Sequence, residues 1–299
     1  MLRTPLRASP WLSSCAVADV RLKLEVLQPT FSYKIRGAIN AVQKLVDERG
    51  RDIPPLVTAS AGNHGRALAH AARIAGLALT VYVPREAPRT KLDAIRAAGA
   101  TLEPCLDYDD AEQRAKAAAT ASGALYISPY SHPDVIAGAG TIGLEVLDDW
   151  PEVDVIVVPI GGGGLISGIA IAAASCATAS VAGVEVAASN PFTRGLAAGR
   201  IVPIDVQPTL ADGLAGNLDP ETVTFEIVRR LVPTIAVVDE DNLREAMAGT
   251  VEREKLVVEG AGAAAIAAIL SCRLDVRERR VAVIVSGGNI DTEKLRSLL

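Results

Sequence analysis

The stretch VDVIVVPIGGGGLISGIAIAAASCA, residues 153–177, limits the architecture more than any other part of the chain. Its first eight residues, 153–160, are apolar apart from Asp154. A run without polar alternation fits a strand buried on both faces, as in parallel sheets covered by helices. Four glycines follow, Gly161, Gly162, Gly163 and Gly164, and an Ala/Ile-rich helical pattern starts at once. Without Cβ atoms the backbone can approach an anion closely and aim its N–H groups at it. The start of the next helix adds partial positive charge. A phosphate is the natural guest; the alternative is a tight strand–helix turn with no ligand. The run is not Walker A, because no Gly-Lys-Ser/Thr follows. Nor is it the dinucleotide pattern GxGxxG, whose third glycine would fall on Ile166 or Ser167.

The same rhythm extends in both directions. Strand-like runs occupy 55–60, 77–84, 124–130, 180–186, 234–240 and 280–288. Helical patterns occupy 61–76, 88–100, 111–123, 241–256 and 260–272, the first two closing on Gly76 and Gly99. Alternating βα units predict a doubly wound α/β fold. The expected division is a large domain, 1–54 with 133–299, and a small α/β domain inserted at 55–132. A cleft between two lobes is a common place for a small ligand. The chain is 49% hydrophobic but only 3% aromatic, so its core must be mostly Ala, Val, Leu and Ile. The formal net charge of −5 and the lack of a basic patch argue against a nucleic-acid partner. No apolar run reaches the ~18 residues of a membrane span. The opening lacks the ~7–15-residue apolar core of a signal peptide. A cytoplasmic protein with no membrane partner is expected. Cys15, Cys105, Cys176 and Cys272 form no CxxC pair and read as free thiols. His64, His70 and His132 lack metal-ligand spacing, so no metal site is expected.

Three further stretches carry chemistry. In SAGNHG (60–65), Ser60, Asn63 and the loop N–H groups can bind a carboxylate or a phenolic oxygen, or serve only as a helix cap. In VSGGN (285–289), Ser286 meets a Gly-Gly turn after a strand, at the sheet edge where α/β proteins bind ligands. A plain turn is the alternative. In TFSYKIRGAIN (30–40), Lys34 stands between Ser32, Tyr33 and the Arg36-Gly37 pair. Burial or a cation such as Arg36 can lower a lysine pKa and let it attack an aldehyde. Taken alone, Lys34 could equally be a solvated surface lysine.

In their order and spacing these motifs resemble the fold type II pyridoxal-phosphate enzymes, the tryptophan-synthase-β-like group. Within it the chain looks like the threonine/serine dehydratases. The resemblance runs from RTPL (3–6) to SGGNID (286–291). It implies pyridoxal 5'-phosphate as cofactor, with its aldehyde held by Lys34. Tyr33, where phenylalanine is usual, would pack on the ring, and Asn63 would bond the ring hydroxyl. Gly161, Gly162, Gly163, Gly164 and Leu165 would bind the phosphate. Gly213 would lie against the other ring face, Ser286 would face the ring nitrogen, and Glu259 would be the acid near the ring. Ser32, Ser60, Ala61, Gly62 and His64 would receive the substrate. The implied reaction dehydrates and deaminates a β-hydroxy amino acid, L-threonine or L-serine, to a 2-oxo acid and ammonia. The implied assembly is a homodimer.

Departures from the family pattern refine this. Serine racemases carry a second serine where this chain has Ala61, which ranks dehydration above racemisation, since racemisation needs acid/base groups on two faces. Phe31 replaces a usual glycine and Ala139 a usual glutamine, which admits another substrate such as hydroxyaspartate or phenylserine. Some relatives bind a divalent cation through a glutamate and a later aspartate; here Glu185 is followed by Pro191 at the later position, so no metal activation is expected. No regulatory domain is expected after SGGN, and hence no isoleucine feedback. A β-replacement enzyme of the cysteine-synthase type fits the S-x-K-x-R-G segment less well. The non-enzyme alternative is a phosphate- or nucleotide-binding protein using the glycine run alone.

Overall fold

The computed structural model describes residues 1–50, 52–176 and 179–298. Arg51, Thr178 and Leu299, inside the expected large domain, and Ala177, the last residue of the glycine-run stretch, lie outside the described residues. The strands are β1 (Leu6–Ala8), β2 (Asp19–Leu24), β3 (Leu56–Ala59), β4 (Leu79–Pro84), β5 (Thr101–Cys105), β6 (Leu125–Tyr126), β7 (Val155–Pro159), β8 (Ser180–Val186), β9 (Thr234–Val238) and β10 (Arg280–Val285). The chain forms two compact units, one of residues Lys34–Gly138 and one joining Leu2–Tyr33 to Ala139–Leu299. The division falls at the Tyr33–Lys34 peptide bond and again after Gly138, within the helix Pro133–Asp149.

The larger unit holds a six-stranded sheet in the order β1-β2-β10-β7-β8-β9. Only the β1–β2 pair is antiparallel. Its central strands are aliphatic because both faces are covered. In β7, Val155 and Val157 enter one hydrophobic cluster while Ile156 and Val158 enter another. In β10, Val281, Val283 and Val285 alternate in the same way with Ala282 and Ile284. The smaller unit holds a parallel four-stranded sheet, β5-β4-β3-β6. Its core gathers Ile35, Leu56, Leu68, Val81 and Ile95. The doubly wound, mostly parallel α/β fold expected from the sequence is the fold observed.

Among the elements that differ from the expectation are two shortened ones and an unforeseen strand. The strand expected over 124–130 covers only Leu125–Tyr126. Ser128 Oγ then accepts from the N–H groups of Tyr130 and Ser131, at 3.5 and 3.1 Å, and Pro129 has no N–H for a ladder, so the chain turns. The helix expected over 241–256 runs from Glu240 to Gly249 and widens into a π-turn, Thr250–Glu254. There Glu254 is held by Ser9 Oγ at 2.5 Å and Arg7 Nη2 at 2.6 Å. Strand β5 had no sequence signal: Glu103 and Pro104 interrupt its apolar pattern. Among the described residues, no helix is long and apolar enough to cross a membrane.

Candidate active site

In the larger unit, β7 runs into the glycine turn, and the helix Gly164–Cys176 begins at its fourth glycine. Gly163 has φ +85°, and a Cβ there would sit 2.5 Å from Phe192 Cζ and 2.8 Å from Thr224 Cβ. A Cβ on Gly161 would meet Leu214 Cα at 3.0 Å. Thr224 Oγ1 donates to Gly162 O at 2.8 Å and fixes the turn from outside. The first N–H groups of the helix have no intrahelical acceptor. A cradle too tight for side chains, opening on a helix start, suits a phosphate. Leu165, next in the chain, is buried.

The same unit assembles three motifs distant in sequence. Ser286 follows β10 directly, is 4% exposed, and donates to Ala261 O at 3.4 Å. Tyr33 N–H donates to Ser286 O at 3.0 Å, and Ser32 bridges Gly287 in antiparallel fashion. Gly288 N–H donates to Phe31 O at 2.9 Å. On the other side, Glu259 N–H donates to Gly287 O at 3.2 Å. A Cβ on Gly262 would lie 2.2 Å from Gly287 O, so glycine alone permits this approach of helix and turn. Burial, and then the Glu259 charge, push the Tyr33 phenol up, so it stays protonated. Gly213 lies on the short turn Asp212–Leu214, where a Cβ would meet Ala261 Cβ at 3.2 Å.

In the smaller unit, Lys34 heads the helix Lys34–Arg49. Its Nζ donates to Pro129 O at 2.7 Å, and burial pulls its pKa down to about 8. Burial is one of the two causes the sequence allowed. Asn63 opens the helix Asn63–Ala75 behind Gly62. Gly62 N–H donates to Ser60 Oγ at 3.3 Å, and a Cβ on Gly65 would sit 2.2 Å from Ser60 O, so the loop is closed tightly. Ala61 is buried; Ser60, Gly62 and Asn63 are half-buried. His64 is 2% exposed and its Nε2 faces Ile127 O at 3.3 Å, so Nε2 carries the proton and donates. Nδ1 is buried with no hydrogen-bond partner. Burial first, then the charge of Lys34, hold the His64 pKa down to about 3, and the imidazole is neutral.

Sequence reasoning missed the carbonyls of Ile127 and Pro129, which serve His64 and Lys34. A backbone oxygen leaves no letter in the sequence; only Pro129, which cannot extend a strand, hinted at a turn. Thr224 was also missed, since no motif marks it.

A glycine cradle for a phosphate and a lysine amine of lowered basicity define a class of enzyme. Such an enzyme binds a phosphorylated aldehyde cofactor and does its chemistry on amines. The chain belongs to the pyridoxal-phosphate dependent enzyme family, whose model matches residues 1–287. It is 41% identical to the L-threonine ammonia-lyase of Thermotoga maritima, over 99% of this chain and 74% of that protein. It is 39% identical to the L-threo-3-hydroxyaspartate ammonia-lyase of a Pseudomonas species, over 99% of this chain and 93% of that one. Among solved structures, maize serine racemase superposes with a TM-score of 0.91 at 34% identity, covering 99% of this chain and 91% of that chain.

Proposed function

We propose that this pyridoxal-phosphate enzyme dehydrates and deaminates a β-hydroxy amino acid, L-threonine first and L-serine second, to a 2-oxo acid and ammonia. The observation that carries the reading is the amine of Lys34, held at 2.7 Å by Pro129 O with a pKa of about 8. Such an amine is partly neutral near physiological pH, as a nucleophile and base must be. Lys34 would hold the cofactor aldehyde, Gly161–Leu165 its phosphate, Asn63 the ring hydroxyl and Ser286 the ring nitrogen. Tyr33 and Gly213 would flank the ring, with Glu259 beside it. Bound there, the cofactor supplies an electron sink for the substrate Cα.

The residues divide the work. The N–H groups of the loop from Ser60 to His64 receive the substrate carboxylate, because neutral His64 offers no positive charge. Ser32 orients the same substrate. Lys34 Nζ would accept the Cα proton of the bound substrate. The Cα–H electron pair would form the Cα=Cβ bond as the Cβ–O bond breaks; the departing hydroxide would take the proton that Lys34 accepted and leave as water, which returns the amine to its neutral form. The free enamine would tautomerise to an imine; water adds, ammonia leaves and the 2-oxo acid remains. Ala61 brings no hydroxyl to a second face, which supports elimination over racemisation despite the likeness to maize serine racemase. A cytoplasmic homodimer is part of the proposal.

The test is release of 2-oxobutyrate from L-threonine by purified, cofactor-loaded protein. Rapid release is expected. A visibly yellow protein that releases none from threonine or serine would refute the threonine/serine assignment while leaving the family intact.

A further inference from the structure

Glu185 is a charge in an apolar place. Along β8, Ala182, Val184 and Val186 enter one hydrophobic cluster and Val181 the other. Alternation sets Glu185 on the face of Val181, and it is fully buried. Its Oε1 accepts from Phe192 N–H at 2.8 Å; its Oε2 accepts from Thr193 N–H at 2.8 Å and from Thr193 Oγ1 at 2.6 Å. These groups stand at the start of the helix Pro191–Ala198. Asn190, of a residue type that often caps helices, makes no side-chain cap there. Burial raises the Glu185 pKa more than the three donors lower it. The folded chain keeps this proton to a higher pH than the unfolded one, so ionisation costs stability. A charge kept at such a cost points to function.

The helix that Glu185 holds leads to the glycine turn. Phe192 is fully buried and stacks with Phe225, ring centroids 6.2 Å apart. Its ring fills the space beside Gly163, where a Cβ would lie 2.5 Å from Cζ. Resting on the assignment of the phosphate to the glycine turn, we infer that Glu185 is a positioning residue for cofactor binding: by holding the helix start it seats Phe192 against Gly163 and keeps the turn in its phosphate-binding shape. The divalent cation that some relatives bind does not fit here. Three donors already face the carboxylate, Pro191 has no side-chain oxygen, and the positive end of the helix repels a cation.

The test compares two ligands of the cofactor-free protein: pyridoxal 5'-phosphate, and pyridoxal, which lacks the phosphate. Both are titrated by absorbance. Glu185→Gln sets an amide NH₂ against an N–H donor. It should weaken pyridoxal phosphate roughly 10-fold and leave pyridoxal unchanged. Phe192→Leu should show the same phosphate-selective loss. The double variant should be no more than ~2-fold worse than Phe192→Leu, because one path carries both effects. Thr193→Val removes a single hydroxyl donor and decides the matter if Glu185→Gln does not fold; a selective loss of about 3-fold is expected. EDTA or Mg²⁺ should leave the wild-type ratio of affinities unaltered. Equal weakening of both ligands would make Glu185 a helix cap alone and overturn the proposal. Mg²⁺ that tightens pyridoxal phosphate in the wild type but not in Glu185→Gln would overturn it as well, by making Glu185 a cation ligand. A wild type that binds pyridoxal phosphate no more tightly than pyridoxal removes the phosphate from the glycine turn, and the role of Glu185 with it. A wild-type preference that persists in every variant leaves the turn its phosphate and overturns the role of Glu185 alone.

Discussion

Lys34 and His64 are both altered by burial in the smaller unit, and they serve it differently. The lysine is shifted to about 8, within reach of neutral pH, while the histidine is pinned neutral at about 3. Lys34→Ala should yield protein without the yellow absorbance band and with turnover reduced by at least ~10²–10⁴-fold; a band that survives would remove Lys34 from its role. For His64 the sign follows from its depressed pKa. Below pH 6.5 the unfolded chain binds the proton and the folded chain does not until about pH 3. Stability therefore falls as pH drops through this window. His64→Gln should flatten the slope, read as urea midpoints at pH 7 and pH 5. An equal slope in the variant would place the acid sensitivity elsewhere.

At the scale of elements, the glycine turn is the most constrained piece of the fold. Gly163→Ala combines a left-handed φ of +85° with a Cβ 2.5 Å from Phe192. A loss of about 2–4 kcal/mol of stability is expected, together with weaker cofactor binding; unaltered thermal unfolding and cofactor titration would contradict this geometry. This turn was legible because four glycines in a row have few other uses. Strands β7 and β10 were legible because burial on two faces demands unbroken aliphatic runs. The helix Pro133–Asp149 was not among the helical patterns read from the sequence. Its Gly140 and Gly143 look like helix breakers. In fact a Cβ on Gly140 would sit 2.9 Å from Gly168 O, and one on Gly143 3.0 Å from Ala172 Cβ. They allow close helix packing, a tertiary reason that local pattern does not carry. The antiparallel edge strand β1 was hidden by its length of three residues.

At the scale of the whole molecule, the cofactor should act as a folding ligand. Pyridoxal phosphate at about 100 times its dissociation constant should stabilise the protein by ~2.7 kcal/mol, measured as a rise in denaturant midpoint; no rise would mean the cofactor binds folded and unfolded chains alike. The sheet order has a further consequence for synthesis. Strand β2 pairs along its length with β10, about 250 residues later in the chain. At roughly 5–20 residues per second, a ribosome takes about 12–50 s to cover that distance. The smaller unit, contiguous from Lys34 to Gly138, can fold during this interval. The larger sheet cannot, because its second strand emerges early and waits, one edge open, for a neighbour not yet translated. The turn bearing Ser286 arrives with that neighbour. A nascent chain therefore carries Lys34 long before it carries the rest of the proposed cofactor site, and premature termination would leave an aggregation-prone edge rather than a partly active enzyme.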